Sequence, residues 1–485
     1  MGKFAYIFGV GLAVAALGTP CARAQQQTQD QPIPAYKSPL ASQADSDDAN
    51  APPQELAPDD RALTGALNLS LGVPLTNHSY WSPHIDLAET IDSQPPELGT
   101  GAGTSTEAGW TSWTTVSGGA DLRWLSGRSD LTASYVGGGL FSNDGSVSNG
   151  IIQDLNLVDR FGFRRWAVTF IEQAAYTPEI PFGSGGFPGI PLPGNGALGP
   201  GAGFAPGQSI ITAEGQRFMN TSLGEVDVYL TPRSSLTFFG GYSLLHFFDE
   251  NLLDYGDVIG EVGYNYKLTR KDTIGVSYLY NGFSYSNFDQ SITSNTIQLS
   301  YGRRITGRLA FQAGIGPQIA SFNASVSGGG TGGPSTTSIT NLYWSLFTSL
   351  QYQMARTGLS ASYSHGVAGG SGVLAGSIAD TVTGSVTRQL SRTFTGSGNL
   401  GYARNTGLGI SALPGITPNQ TFDYFFAGAN LTKLWGRSWY MNLGYQFQYQ
   451  NSDASFCVGT ACATSFTRNL ITFGVGWRKP PIPID

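Results

Sequence analysis

The chain has 485 residues, of which 12% are charged and 12% aromatic, with 66 glycines, 22 tyrosines and 27 phenylalanines and a formal charge of −7. Glycine at roughly twice its usual share, with so few charges, favours strands and turns over helices, which excludes a string of soluble helical domains. No basic stripe is present to follow a nucleic-acid backbone.

Lys3 supplies a basic start, residues 4–17 an apolar run and Ala22-Arg23-Ala24 a small-x-small site ahead of Gln25. Together they read as a secretory signal over residues 1–24; the run is too short for a spanning anchor. Its removal leaves 24 basic against 33 acidic residues, a formal −9, and two cysteines, Cys457 and Cys462. These flank Val-Gly-Thr-Ala inside a loop, so a small loop-closing disulfide is expected in an oxidising compartment. Zinc would need two more ligands nearby, and none are offered.

Residues 25–60 are rich in Gln, Pro and Ala and hold Asp30, Asp45, Asp47, Asp48, Glu55, Asp59 and Asp60 against Lys37 alone. Such a segment cannot bury enough apolar surface to order itself, and a disordered acidic extension is expected.

From Leu63 a two-residue rhythm begins, with Leu63, Leu67, Leu69, Leu71 and Val73 on one face and Thr64, Asn68 and Ser70 on the other. That period belongs to a strand. A polar loop is expected over residues 74–107, then a strand to Leu125 with Val116, Ala120, Leu122 and Trp124 on its apolar side. Short turns recur from there, each beside a basic residue: Arg128, Arg165, Arg233, Arg270, Arg308, Arg356, Arg392 and Arg437. Between them run apolar stripes such as Ile274, Val276, Tyr278, Tyr280 and Ile471, Phe473, Val475, Trp477. The plainest lies in residues 439–450, where Trp439, Met441, Leu443, Tyr445, Phe447 and Tyr449 alternate with Tyr440, Asn442, Gly444, Gln446, Gln448 and Gln450.

Strands of about ten residues cross a bilayer when tilted, and in lipid a sheet satisfies its backbone only by closing on itself. Eight short turns alternate with nine longer connections. The expected fold is therefore all-β: a transmembrane antiparallel up-and-down barrel over residues 61–478, of about 18 strands within roughly 16–20. Residues 479–485 would form a tail on the short-turn, periplasmic side, together with residues 25–60.

Opposite the apolar stripes lie Asp121, Arg123, Asp154, Arg160, Glu225, Asp227, Glu261 and Lys267. As pore-lining groups on facing walls they would set a transverse field with weak cation preference; as mutual ion pairs they would brace a filled lumen. The histidines, His78, His84, His246 and His365, stand in no spacing that requires catalysis, although His365 follows Ser362-Tyr-Ser364 and His246 stands three residues from Asp249. Glycine strings join no strand to a helix, so they are not nucleotide loops. No enzymatic role and no cofactor are expected.

With its signal, hairpin series and aromatic stripes, the chain resembles the porin-like outer-membrane β-barrels of Gram-negative bacteria. The resemblance is one of architecture, over residues 61–478. It implies a barrel embedded in outer-membrane lipid that passes small hydrophilic solutes passively or with weak selectivity. By analogy with the inserted loop of porins, the Gly- and Pro-rich loop 177–216 is expected to fold into the lumen as a constriction. The other reading is a structural or export-associated barrel whose residues 25–60 dock a periplasmic partner. Such barrels typically end on an aromatic residue, whereas here Arg-Lys-Pro-Pro-Ile-Pro-Ile-Asp follows Trp477. Substrate and oligomeric state are left open.

Overall fold

Four of the eight short turns are tied by a hydroxyl that stands two residues ahead of the first amide it accepts from. Thr269 Oγ1 accepts from the amides of Lys271 and Asp272, each at 3.0 Å; Thr306 does the same for Arg308 and Leu309 at 3.2 and 3.0 Å. Ser391 takes the amides of Thr393 and Phe394, and Thr231 that of Arg233. A hydroxyl of this kind closes a tight turn locally. At the last turn Gly436 sits at φ 72°, a conformation that costs little only without a Cβ.

The computed structural model describes residues 78–93, 110–143, 149–177, 216–248, 254–285, 290–326, 335–354, 356–369, 376–408, 421–452 and 465–484. Its strands are β1 (Tyr80–Asp92), β2 (Thr111–Leu125), β3 (Ser129–Ser142), β4 (Gly150–Gly162), β5 (Trp166–Thr177) and β6 (Arg217–Thr231). They continue as β7 (Ser234–Phe247), β8 (Tyr255–Lys267), β9 (Asp272–Tyr285), β10 (Gln290–Arg304), β11 (Leu309–Val326) and β12 (Ser335–Gln353). The circuit ends with β13 (Thr357–Ala368), β14 (Ser377–Gln389), β15 (Phe394–Gly407), β16 (Thr421–Trp435), β17 (Trp439–Ser452), β18 (Ser465–Arg478) and the short β19 (Ile482–Pro483).

Each strand from β1 to β18 pairs antiparallel with the next, and β18 returns to β1 from His84↔Arg478 to Asp92↔Leu470. Eighteen strands thus form a closed sheet without a free edge. Closure is what allows a sheet to stand in lipid, where an unpaired backbone group finds no water.

One expectation needs correction. Residues 80–92 fall inside the loop expected at 74–107, yet they form β1 and supply the closing strand. Pro83 and the charges Asp86 and Glu89 mask the stripe Trp81, Ile85, Leu87, Ile91. A proline is tolerated here because the ladder to β18 ends one residue away, at His84. The tail, in turn, stays on the sheet. Ser82 Oγ donates to Lys479 O at 2.7 Å, and Tyr80 and Trp81 pair with Pro483 and Ile482. The strand expected at residues 63–73, the segments 1–24 and 25–60, Cys457 and Cys462, and almost all of loop 177–216 lie outside the described residues.

Alternation sorts the two faces. In β17, Trp439 and Leu443 are 54% and 50% exposed, whereas Gln448 and Gln450 are fully buried. The outward face is aliphatic at mid-height. Tryptophans 81, 124, 166, 435 and 439 ring the turn end, and Phe141, Phe248, Tyr402 and Tyr449 lie toward the loop end. Two aromatic girdles flanking an apolar band mark a sheet that stands in a bilayer.

Glycine inside the wall allows close approach at particular points. On β11 a Cβ at Gly316 would overlap the Ile297 carbonyl of β10, whereas one at Gly260 of β8 meets open space. Gly316→Ala is therefore expected to abolish the fast-migrating folded band of the unheated protein in SDS gels, while Gly260→Ala leaves it intact.

Candidate functional site

Residues paired across a ladder share a face, so the register assigns the lumen wall strand by strand. The eight residues expected to line it, Asp121, Arg123, Asp154, Arg160, Glu225, Asp227, Glu261 and Lys267, share the inner face of β2, β4, β6 and β8. Arg123, Glu225, Asp227 and Glu261 are nearly fully buried there.

Their distribution differs from the facing walls expected of a transverse field. Inward charges crowd one sector, β1 to β8 with β18. From β9 to β17, Arg304 at the turn end of β10 is the one charged side chain on the inner face among the described residues. Charges in one sector can neutralise their neighbours. Arg123 grips Asp130 of β3 through Nε and Nη2 at 3.1 and 3.0 Å, and Arg478 reaches Asp121 at 3.2 Å. Asp227 accepts from Thr237 Oγ1 at 2.8 Å. At the seam, Arg468 Nε donates to Asp92 at 2.7 Å, with both residues buried. Tyr440 donates to Asp86, tying β17 to β1.

The uncharged sector carries hydroxyls. Ser360, Ser362 and Ser364 of β13 meet Ser385, Thr383 and Thr381 of β14 at 2.6, 2.6 and 2.5 Å. Ser360 and Ser385 remain water-accessible at the turn end. Hydroxyls both donate and accept, so a wall of this kind can exchange its bonds with water or a polar solute.

Near the loop end the lumen narrows on apolar side chains. Leu245 and Phe247 of β7, Phe283 and Tyr285 of β9, Ile292 of β10 and Phe322 of β11 pack into one buried cluster with Val367 of β13. Tyr285 donates to the carbonyl of Gly369, just past β13, and Val367 N donates to Gln318 Oε1 of β11 at 3.0 Å. Since β9 and β13 are not sheet neighbours, these bonds draw non-adjacent strands together across a chord.

His84 faces the lumen 3.8 Å from Asp86, whereas two other histidine–aspartate pairs face outward. His246 Nδ1 stands 2.6 Å from Asp254, and His365 Nδ1 stands 2.8 Å from Asp380; Asp249 lies outside the described residues. Ser364 points to the opposite face from His365 and bonds Thr381 instead, so the two form no nucleophile and base pair. The hydroxyl ladder was available to sequence reading in the alternation of residues 360–364 and 381–387. The apolar narrowing was not, because alternation tells side from side without telling inside from outside.

An even-stranded closed barrel with an apolar girdled exterior, a largely polar interior, short turns at one end and long loops at the other has the architecture of porin-like outer-membrane β-barrels. No family model and no curated protein matches the chain. Among solved structures it is similar to OpdQ of Pseudomonas aeruginosa, at 10% identity over 83% of this chain and 98% of that one, with a TM-score of 0.38. OccAB3 of Acinetobacter baumannii gives 10% identity over 83% and 99%, with a TM-score of 0.39. A loop L8 deletion mutant of OmpT, an outer membrane protein of Vibrio cholerae, gives 11% over 83% and 100%, with a TM-score of 0.31. Likeness of this degree says nothing of cargo.

Breaking the buried seam pair should be severe, because it leaves a carboxylate without its cation. Arg468→Ala is expected to cost about 3–5 kcal/mol, read as a lowered urea midpoint for unfolding from phospholipid vesicles.

Proposed function

We propose that the protein is an outer-membrane channel through which small hydrophilic solutes pass passively and with weak selectivity. The observation that carries this reading is the closed wall whose inner face bears charged groups in one sector and the hydroxyl rungs of β13 and β14 in the other. Solutes exchange hydrogen bonds with the hydroxyl rungs, and the apolar cluster near the loop end limits their size. Among the described residues, nine acids and seven bases face inward, namely Asp86, Asp92, Asp121, Asp130, Asp154, Glu225, Asp227, Asp257 and Glu261 against Arg123, Arg160, Arg217, Lys267, Arg304, Arg468 and Arg478. So small an excess, partly neutralised in pairs, gives a slight cation preference.

Export by a signal at residues 1–24, a loop disulfide between Cys457 and Cys462, and a constriction by loop 177–216 belong to the same reading. They rest on the residue patterns alone.

Planar-bilayer recordings test it. A steady conductance is expected, with a small cation-side reversal potential in a KCl gradient that is abolished or turns slightly to the anion side when Glu225, Asp227 and Glu261 are all replaced by Gln. Phe283→Ala should raise the conductance by relieving the apolar narrowing. A folded, inserted barrel without conductance would sink the channel reading in favour of a structural or export-associated role.

A further inference from the structure

The lipid-facing surface carries one feature that a lone barrel in a bilayer does not accommodate. Glu172 of β5 lies on the outward face: its ladder neighbours are Leu157, Ser222 and, one strand further, Tyr242, and the adjacent outward residues Phe170 and Tyr242 are 48% and 44% exposed. On the same strand and face, Trp166 marks the turn-end girdle and Tyr176, edge-on to Phe248, the loop-end one. Glu172 stands six residues from the first and four from the second, inside the apolar band. Other outward charges, such as Glu89, Asp159, Asp380 and Lys433, lie within three residues of a strand end, where headgroups and water reach them. Among the described residues, Glu172 is the one outward charged side chain farther than that from both ends.

A carboxyl group in hydrocarbon is costly and is normally shielded by protein. Its partners stand beside it on the same face. Asn220 Nδ2 donates to Glu172 Oε1 at 2.6 Å, and Ser222 Oγ donates to Asn220 Oδ1 at 3.3 Å. One rung toward the turn end, Gly224, Gly240 and Gly260 lie in register across β6, β7 and β8, and an added Cβ at Gly260 meets nothing within 4 Å. The wall is therefore flat beside the polar group and admits close approach of another surface.

We propose that the outward face of β4 to β8 is the contact surface for a second copy of this chain, with Glu172, Asn220 and Ser222 buried at its centre. Copies sharing a membrane are related by an axis along the bilayer normal, so groups of equal height meet. A two-fold contact brings Asn220 and Ser222 of one copy to the height of Glu172 of the other, and each of these groups finds a complement on the identical face. Strands ~4.8 Å apart crossing a band ~25 Å tall give a five-strand face of roughly 600 Å², so that two copies together bury about 1,200 Å², the lower end of a specific interface. The proposal rests on the outer-membrane reading.

Cysteine cross-linking in native outer membranes tests the proposal and that reading separately. Leu299→Cys, on the outward face of β10, should take a lipid-soluble maleimide and give no dimer with a short bis-maleimide. Ser222→Cys should give a cross-linked dimer of this chain and resist the lipid-soluble reagent. Adding Glu172→Leu, which suits that position to lipid, should lower the dimer yield at least tenfold while the folded gel band persists. If the double variant fails to fold, the Ser222→Cys result decides alone. Lipid labelling of Ser222→Cys equal to that of Leu299→Cys without a dimer, or a cross-link to a different protein, overturns the second copy as occupant. Failure of Leu299→Cys to label overturns the membrane reading and the proposal with it.

Discussion

In hydrocarbon, backbone amides and carbonyls must find partners within the protein. Everything else in this chain follows from the way it meets that demand, by bringing β18 back to β1. The return is reinforced at several heights, by Arg468 against Asp92, Tyr440 against Asp86 and the tail laid along Tyr80 and Trp81. The residues after Trp477 thus extend the last strand's work on β1.

Closure also creates an inside. Once the sheet is a ring, the alternation that presents leucine and tryptophan to lipid presents amides, hydroxyls and charges to the lumen. The lumen is then divided by strand number: charged, partly salt-bridged residues from β18 through β8, an almost uncharged sector from β9 to β17 with hydroxyl rungs on β13 and β14, and an apolar waist near the loop end. The exception to the exterior rule, Glu172 in the lipid band, points to protein rather than lipid as its neighbour.

Much of the architecture was legible in the residues. Turns with Thr or Ser followed by a basic residue, and stripes such as Trp439 to Tyr449, depend on local geometry, and their strands, turns and faces came out as read. The closing strand did not, because Pro83, Asp86 and Glu89 resemble loop chemistry until their neighbours are known. Glu89 is satisfied at the loop-end rim by Thr114 of β2 and by Asn143, just past β3, and Asp86 by Tyr440 of β17.

For the lumen, the period of two told which charges share a face with one another. It could not tell that they gather in one sector, that Arg123 meets Asp130, or that Phe283 and Val367 approach across a chord. Alternation is a property of each strand alone, set by the pleat of its own backbone. Which strands become neighbours, and what lies across the ring, follow from shear and closure, and those exist only when all eighteen strands are in place.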